Sequence, residues 1–186
     1  MSAFPREELE EMMRRWVAAN DEAGATGDWS KMPEFFTQDA VYSWNTGHNW
    51  EFVAKGRKQI AEWAFDSEMS GLEKWTYPYV RTLIDDQKGE IIGIWRQIAP
   101  VNDPDGRPYE IRGTGGSWFR YAGNYQWEWQ RDFFDHGNAG TIFGTMAKNG
   151  QLTPKMQERM QKGSKMPGWV RRSEFDWYAT ITDRED

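Results

Sequence analysis

The chain reads as a single α+β domain in which helices pack on one face of a strongly curved antiparallel sheet, making a cone with a pocket inside. Three observations predict this. Leu9, Met12, Met13, Trp16, Val17 and Asn20 recur at a helical period near the N-terminus. From about residue 74 the period changes to two. Short turn-forming clusters, Asp85-Asp86-Gln87-Lys88-Gly89, Asn102-Asp103-Pro104-Asp105-Gly106 and Ala122-Gly123-Asn124, then separate the strands and make neighbours antiparallel.

In chain order, residues 5–26 form the first helix, with Pro5 in its first turn and Gly24 and Gly27 stopping it. Asp28 or Ser30 caps a short helix around 31–36. Residues 39–45 alternate as a strand, with Tyr42 and Trp44 on one side and Val41 and Ser43 on the other. Residues 46–50 are read as a loop carrying His48. Gly56 opens a helix near 57–70. Strands are expected at 74–84, 89–99, 109–121 and 125–135. The tail is mixed: Thr153-Pro154 starts a helix with Met156 and Met160 on one face, and Trp169, Phe175 and Trp177 pack down on something. The expected domain spans 1–186, with a core at about 5–140 and an extension at about 141–186 over the pocket or an interface.

A chain of 186 residues is long enough for a substantial core. The absence of cysteine excludes disulfides, thiolate nucleophiles and cysteine-ligated metals. No apolar run is long enough to cross a bilayer, and the N-terminus lacks the pattern of a secretory signal, so a cytoplasmic setting without membrane attachment is expected. A net charge of −6 without a basic run argues against nucleic acid. Aromatic residues make up 16% of the chain, including 12 Trp. Such rings serve a packed core, a subunit interface or the wall of a pocket for a flat apolar ligand, and composition leaves all three open.

Specific segments carry a resemblance. Phe35-Phe36-Thr37-Gln38-Asp39-Ala40-Val41-Tyr42, Lys55-Gly56-Arg57-Lys58-Gln59-Ile60 and Trp129-Gln130-Arg131-Asp132-Phe133-Phe134-Asp135 resemble the SnoaL-like branch of the NTF2-like superfamily. The last segment is the most specific and is similar to the final strand of the SnoaL-like cyclases and limonene-epoxide hydrolases. The resemblance implies the cone-shaped NTF2-like (cystatin-like) fold over roughly residues 5–140. It leaves the chemistry open among cofactor-free isomerases, dehydratases, cyclases, epoxide hydrolases and non-catalytic binding domains.

Asp132 is the leading catalytic candidate. The resemblance points it into the cavity, and a carboxyl in an apolar cone has a raised pKa suited to acid/base work. Period two then puts Glu128, Gln130 and Phe134 on the same inner side, with Trp127 and Trp129 outside. Arg96 lies where the epoxide hydrolases carry an Arg-x-Asp pair and is expected to orient Asp132, but the partner position is Ile98, which disfavours epoxide hydrolysis by that route. Trp44 occupies the position of the steroid isomerases' catalytic aspartate, which disfavours their mechanism too. Tyr42 can donate to a substrate oxygen. His48, beside Asn45 at the cavity mouth, is a candidate proton shuttle. Arg112, with Glu110, is a candidate oxyanion site if its side of the strand faces inward. The glycines Gly113, Gly115 and Gly116 read as close packing by a neighbouring aromatic. Trp16 and Asn20 complete the lining.

No metal is expected, because His48 and His136 are the two histidines and show no ligand spacing. No cofactor motif is present. What remains is a cofactor-independent lyase, by dehydration or retro-aldol-type C–C cleavage, acting on a hydroxylated aromatic small molecule such as a lignin-derived diaryl compound. The alternatives are a polyketide cyclase or isomerase of the same fold, or a non-catalytic domain binding a hydrophobic ligand. A homodimer or higher homo-oligomer through the outer sheet face is the expected assembly.

Overall fold

The computed structural model describes residues 4–46 and 49–180. Helix α1 (Arg6–Thr26) buries Leu9, Met12, Met13, Trp16, Asn20, Ala23 and Gly24, the stripe its spacing predicts. Gly24 lies inside the helix against Thr76, and Gly27, in the left-handed conformation at φ 78°, ends it. A short 3₁₀ turn (Met32–Phe35) leads into β1 (Phe36–Thr46). β2 (Trp50–Lys55) pairs back on β1, occupying residues that sequence alternation does not single out. Helix α2 comprises an α-helical turn, Arg57–Gln59, continued by a π-helical segment, Ile60–Ser67.

Four strands follow: β3 (Tyr79–Asp85), β4 (Glu90–Asn102), β5 (Pro108–Gly123) and β6 (Gln126–Phe133). Helices α3 (His136–Lys148) and α4 (Pro154–Lys162) and the short β7 (Trp169–Arg171) form the tail. The sheet order is β3-β4-β5-β6-β1-β2-β7. β1 runs parallel to β6, whereas the other neighbours are antiparallel.

The core lies between α1 and the inner sheet face. Trp16 meets Phe35, Phe36, Phe119 and Trp127 edge to face with centroids 5.3–6.1 Å apart, closing the narrow end of the cone. Trp127 is therefore an inner residue, not the outer one that plain alternation predicts. The cause is a bulge: Arg120 pairs with Trp129 and Tyr121 with Trp127, so Glu128 has no opposite residue. One extra residue reverses the side-chain phase. Glu128 is thrown outward and exposed, away from the lining position assigned to it. Beyond the bulge the phase is restored to that expected, with Trp129 outside and Gln130 inside.

On β5 the irregularity takes a different form. Trp95 and Gln97 on β4 pair with Gly115 and Ile111, which places two extra residues on β5 and preserves the parity. Ile111, Gly115 and Ser117 all face inward, and Arg112 faces out. Gly113 has φ 104°, and a Cβ there would lie 2.8 Å from Asp135. A Cβ on Gly115 would lie 2.8 Å from the Trp95 ring, and one on Gly116 2.5 Å from Phe133, so both admit an aromatic ring onto the backbone.

The tail covers the part of the outer face around Trp129. Trp177 packs edge to face on Trp129 and Trp118, at centroid distances of 5.1 and 6.3 Å, and lies under the Arg131 guanidinium. Trp129 is 1% exposed.

Candidate active site

A cavity of about 300 Å³ occupies the cone between the inner sheet face, α1, α2 and the tail. Its walls are rings: Trp16 from α1, Trp29 from the loop after it, Tyr42 and Trp44 from β1, Phe65 from α2, Tyr77 and Tyr79 before and on β3, and Trp95 from β4. The rings are locked by one another. Trp44 stacks on Phe52 at 3.7 Å, Tyr42 stacks on Phe36 at 5.9 Å, and the Trp16 indole N–H donates to the Tyr79 hydroxyl at 2.8 Å.

Asp132 is the polar centre of this wall. Its Oδ2 accepts from the Tyr42 hydroxyl at 2.5 Å, and its Oδ1 accepts from the Ser117 hydroxyl at 2.6 Å and the Gln130 amide at 2.7 Å. The register explains this convergence: Asp132 sits opposite Ser117 on β5 and Trp44 on β1, and Gln130 sits opposite Tyr42. Burial pushes the Asp132 carboxyl above its ordinary value, and the bonds from Gln130, Ser117 and Tyr42 only partly offset that. Burial, followed by the charge of Asp132, drives the Tyr42 phenol well above its usual range, so Tyr42 stays a proton donor. Burial also raises the phenols of Tyr77 and Tyr79. Gln130 Oε1 is buried with no partner among the described residues.

Of the residues singled out from the sequence, Asp132, Tyr42, Trp44, Gln130, Phe134, Trp16 and Asn20 all line the cavity. Asn20 donates to the Tyr77 carbonyl at 3.0 Å, which holds the loop before β3 against α1. His48 lies outside the described residues.

Four placements are corrected. Arg96 does not reach Asp132: its neighbours Trp95 and Gln97 take the inner positions on β4, and its side chain is 50% exposed in a two-bond pairing with Glu110 at 2.7 and 2.8 Å. Arg112 is 74% exposed, outside the cavity, and 3.9 Å from Glu110. Glu128 is the bulged residue on the outer surface. Asn45 lies on the opposite side of β1 from Trp44, and its contribution is a backbone carbonyl that takes a hydrogen bond from His136.

Sequence reasoning passed over several cavity residues. Ser117 follows the glycine cluster on β5 and carried no signal of its own, although parity with Ile111 would have found it. His136, first residue of α3, is held by Asn45 and lies 4.1 Å from the Phe134 ring. Burial lowers its pKa and keeps it neutral near pH 7. Glu68 just after α2, Arg159 from α4 and Trp169 from β7 form a second polar group on the lining. Glu68 accepts from the Trp169 indole at 2.6 Å and from Arg159 at 3.2 Å, and burial raises its pKa. These residues are scattered through the chain, and no periodicity links them. Among the described residues, no group of three or more His, Asp or Glu gathers as a metal would need, and no helix is long and apolar enough to cross a membrane.

Comparison with known proteins follows this geometry. The family model of the SnoaL-like domain matches residues 4–140. No curated protein sequence matches the chain. Among solved structures, PrhC from Penicillium brasilianum NBRC 6234 superposes with a TM-score of 0.59 at 13% identity, covering 82% of this chain and 96% of that one. An NTF2-like protein from Anabaena variabilis ATCC 29413 gives 0.54 at 16% identity, over 73% and 95%. A putative SnoaL-like polyketide cyclase from Jannaschia sp. CCS1 gives 0.54 at 14% identity, over 80% and 94%. At these identities the structures establish the fold alone. The chain belongs to the SnoaL-like domain family and carries an NTF2-like fold.

Proposed function

We propose that the protein is a cofactor-independent acid/base enzyme, a lyase acting on a hydroxylated aromatic small molecule, with Asp132 as base and Tyr42 as acid. One observation carries this reading: a carboxyl with a raised pKa, hydrogen-bonded by neutral donors alone, faces an aromatic-walled cavity. A purely structural aspartate at such a depth is normally paired with a cation.

In dehydration, the Asp132 carboxylate takes a proton from carbon, the C–O bond breaks as the double bond forms, and Tyr42 protonates the departing hydroxyl to release water. In retro-aldol cleavage, Asp132 takes the hydroxyl proton, the C–C bond breaks as the carbonyl forms, Tyr42 donates to the developing negative charge, and the released carbon takes the proton back from Asp132. The ring-lined walls suit a compound with two aromatic groups, such as a lignin-derived diaryl molecule.

A second reading, polyketide cyclisation, is favoured by the fold similarity to the putative Jannaschia cyclase. It uses the same two residues for an intramolecular aldol step. Turnover of hydroxylated diaryl compounds by the wild-type protein and by Asp132→Asn tests the lyase reading. Loss of about 10²–10⁴-fold in the variant is expected. Equal rates would rule out Asp132 as the base, and tight binding without turnover in either protein would mark a non-catalytic binding domain.

A further inference from the structure

We propose that helix α4 supplies the cavity with an anion-recognition group, Arg159, and that the preferred ligand is an aromatic carboxylate. This deepens the acid/base reading and rests on it only for the reaction, not for the binding. The family match ends at residue 140, so the group comes from the part of the chain that the SnoaL-like domain does not include.

The hydrogen-bonding pattern of Arg159 leads to this inference. Its Nη1 donates to Glu68 Oε2 at 3.2 Å, while the other Glu68 oxygen is taken by the Trp169 indole at 2.6 Å. Glu68 therefore meets the guanidinium through one oxygen only. Nε of Arg159 is buried and has no partner among the described residues. The edge formed by Nε and Nη2 is the one that clasps a carboxylate with two parallel bonds. Arg96 shows that edge occupied within the same protein: its Nε and Nη2 hold both oxygens of Glu110, on the surface. Arg159 lines the cavity and holds no carboxylate on that edge, of which Nε is buried among the described residues.

The surroundings support the assignment. Arg159 is the single Lys or Arg among the described lining residues. Glu68 is 7% exposed, and burial pushes its carboxyl towards the neutral form, which leaves the guanidinium charge less compensated. Arg159, Tyr77 and Asp132 all line the same cavity. A ligand whose carboxylate sits on Arg159 then extends its ring along the aromatic wall towards Asp132.

The test uses two isosteric probes, 2-naphthoate and 2-naphthamide, titrated against the fluorescence of the cavity tryptophans. The wild-type protein is expected to bind the acid about 10–100-fold more tightly than the amide, the worth of charge-assisted hydrogen bonds. Arg159→Gln is expected to bring the two probes to equal affinity and leave the amide unchanged. Glu68→Gln removes the competing charge and keeps one acceptor oxygen, enough for the Trp169 indole, and is expected to strengthen the acid selectively. It also decides the matter should Arg159→Gln fold poorly. Equal affinities in the wild type, a preference surviving in Arg159→Gln, or an unchanged or weaker acid affinity in Glu68→Gln would each overturn the proposal. Asp132→Asn separates the two readings: it is expected to lose turnover and keep the preference for the acid, whereas retained turnover would remove Asp132 as base while the anion preference still stands on its own.

Discussion

The sheet buries acids on both faces, and surrounds them differently. On the outer face Glu90 meets Arg120 at 2.9 Å and Glu51 meets Arg131 at 2.7 Å, and the tail closes over them with Trp177 against Trp129 and Arg131. On the inner face Asp132 meets a phenol, a hydroxyl and an amide, all neutral, beside open volume. A carboxylate paired with a cation under a covering ring is a packing element, and removing either partner costs stability. A carboxyl buried among neutral donors has its pKa raised above the ordinary carboxylate value, the condition that acid/base chemistry uses. The contrast separates architecture from function better than burial does, since both faces hold residues almost without solvent exposure.

The sharpest way to break the comparison is to neutralise one acid on each face. Asp132→Asn is expected to cost about 10²–10⁴-fold in turnover with the fold intact, read from steady-state rates and circular dichroism. Glu90→Gln is expected to do the reverse. It removes the Glu90 charge from Arg120, at 3% side-chain exposure, and lowers stability by about 3–5 kcal/mol in denaturant unfolding, while turnover per folded molecule is kept. Gly115→Ala stands between the faces. Its Cβ meets the Trp95 ring, which must move into the cavity, so a loss of about 1–3 kcal/mol and a weakened affinity for ring-bearing probes are expected together.

A subtler test concerns pH. Because burial raises the Asp132 pKa, the folded state binds this proton more tightly than the unfolded chain does. The contribution to stability is therefore full below the ordinary carboxylate pKa and is lost as pH rises through the raised value. Chemical denaturation from pH 4 to pH 7 should show the stability of Asp132→Asn gaining on wild type across that interval. Tyr42→Phe removes a bond that lowers the Asp132 pKa, so the acid limb of the pH–rate profile should move to higher pH. A limb unmoved by this change would show that another group limits the rate.

Much of this arrangement is legible in the residues themselves. The α1 stripe, the period-two strands and the shared side of Gln130 and Asp132, and of Tyr42 and Trp44, follow from side-chain spacing, because a helix or strand presents its faces at a set period, whereas the inward direction of Asp132 follows from the family resemblance. Arg96 and Arg112 were misplaced for a physical reason. β4 is apolar on both faces, with Ile92 and Ile94 opposite Ile91 and Trp95, so alternation alone does not say which side is inner. On β5, whether a glycine bulge adds one residue or two decides the parity, and that depends on the register against β4.

The chain's own sequence determined the domain class, the family, and the carboxyl that anchors the site. Tertiary structure alone decided that Glu128 is bulged out and Trp127 turned in, that the cavity takes Ser117 and His136, and that Arg159 arrives from a helix well past the last long strand. The reason lies in the range of the forces. Periodicity is a local property of backbone geometry, whereas a site is assembled where distant segments are brought together by the burial of rings, and no local pattern encodes which of them will meet.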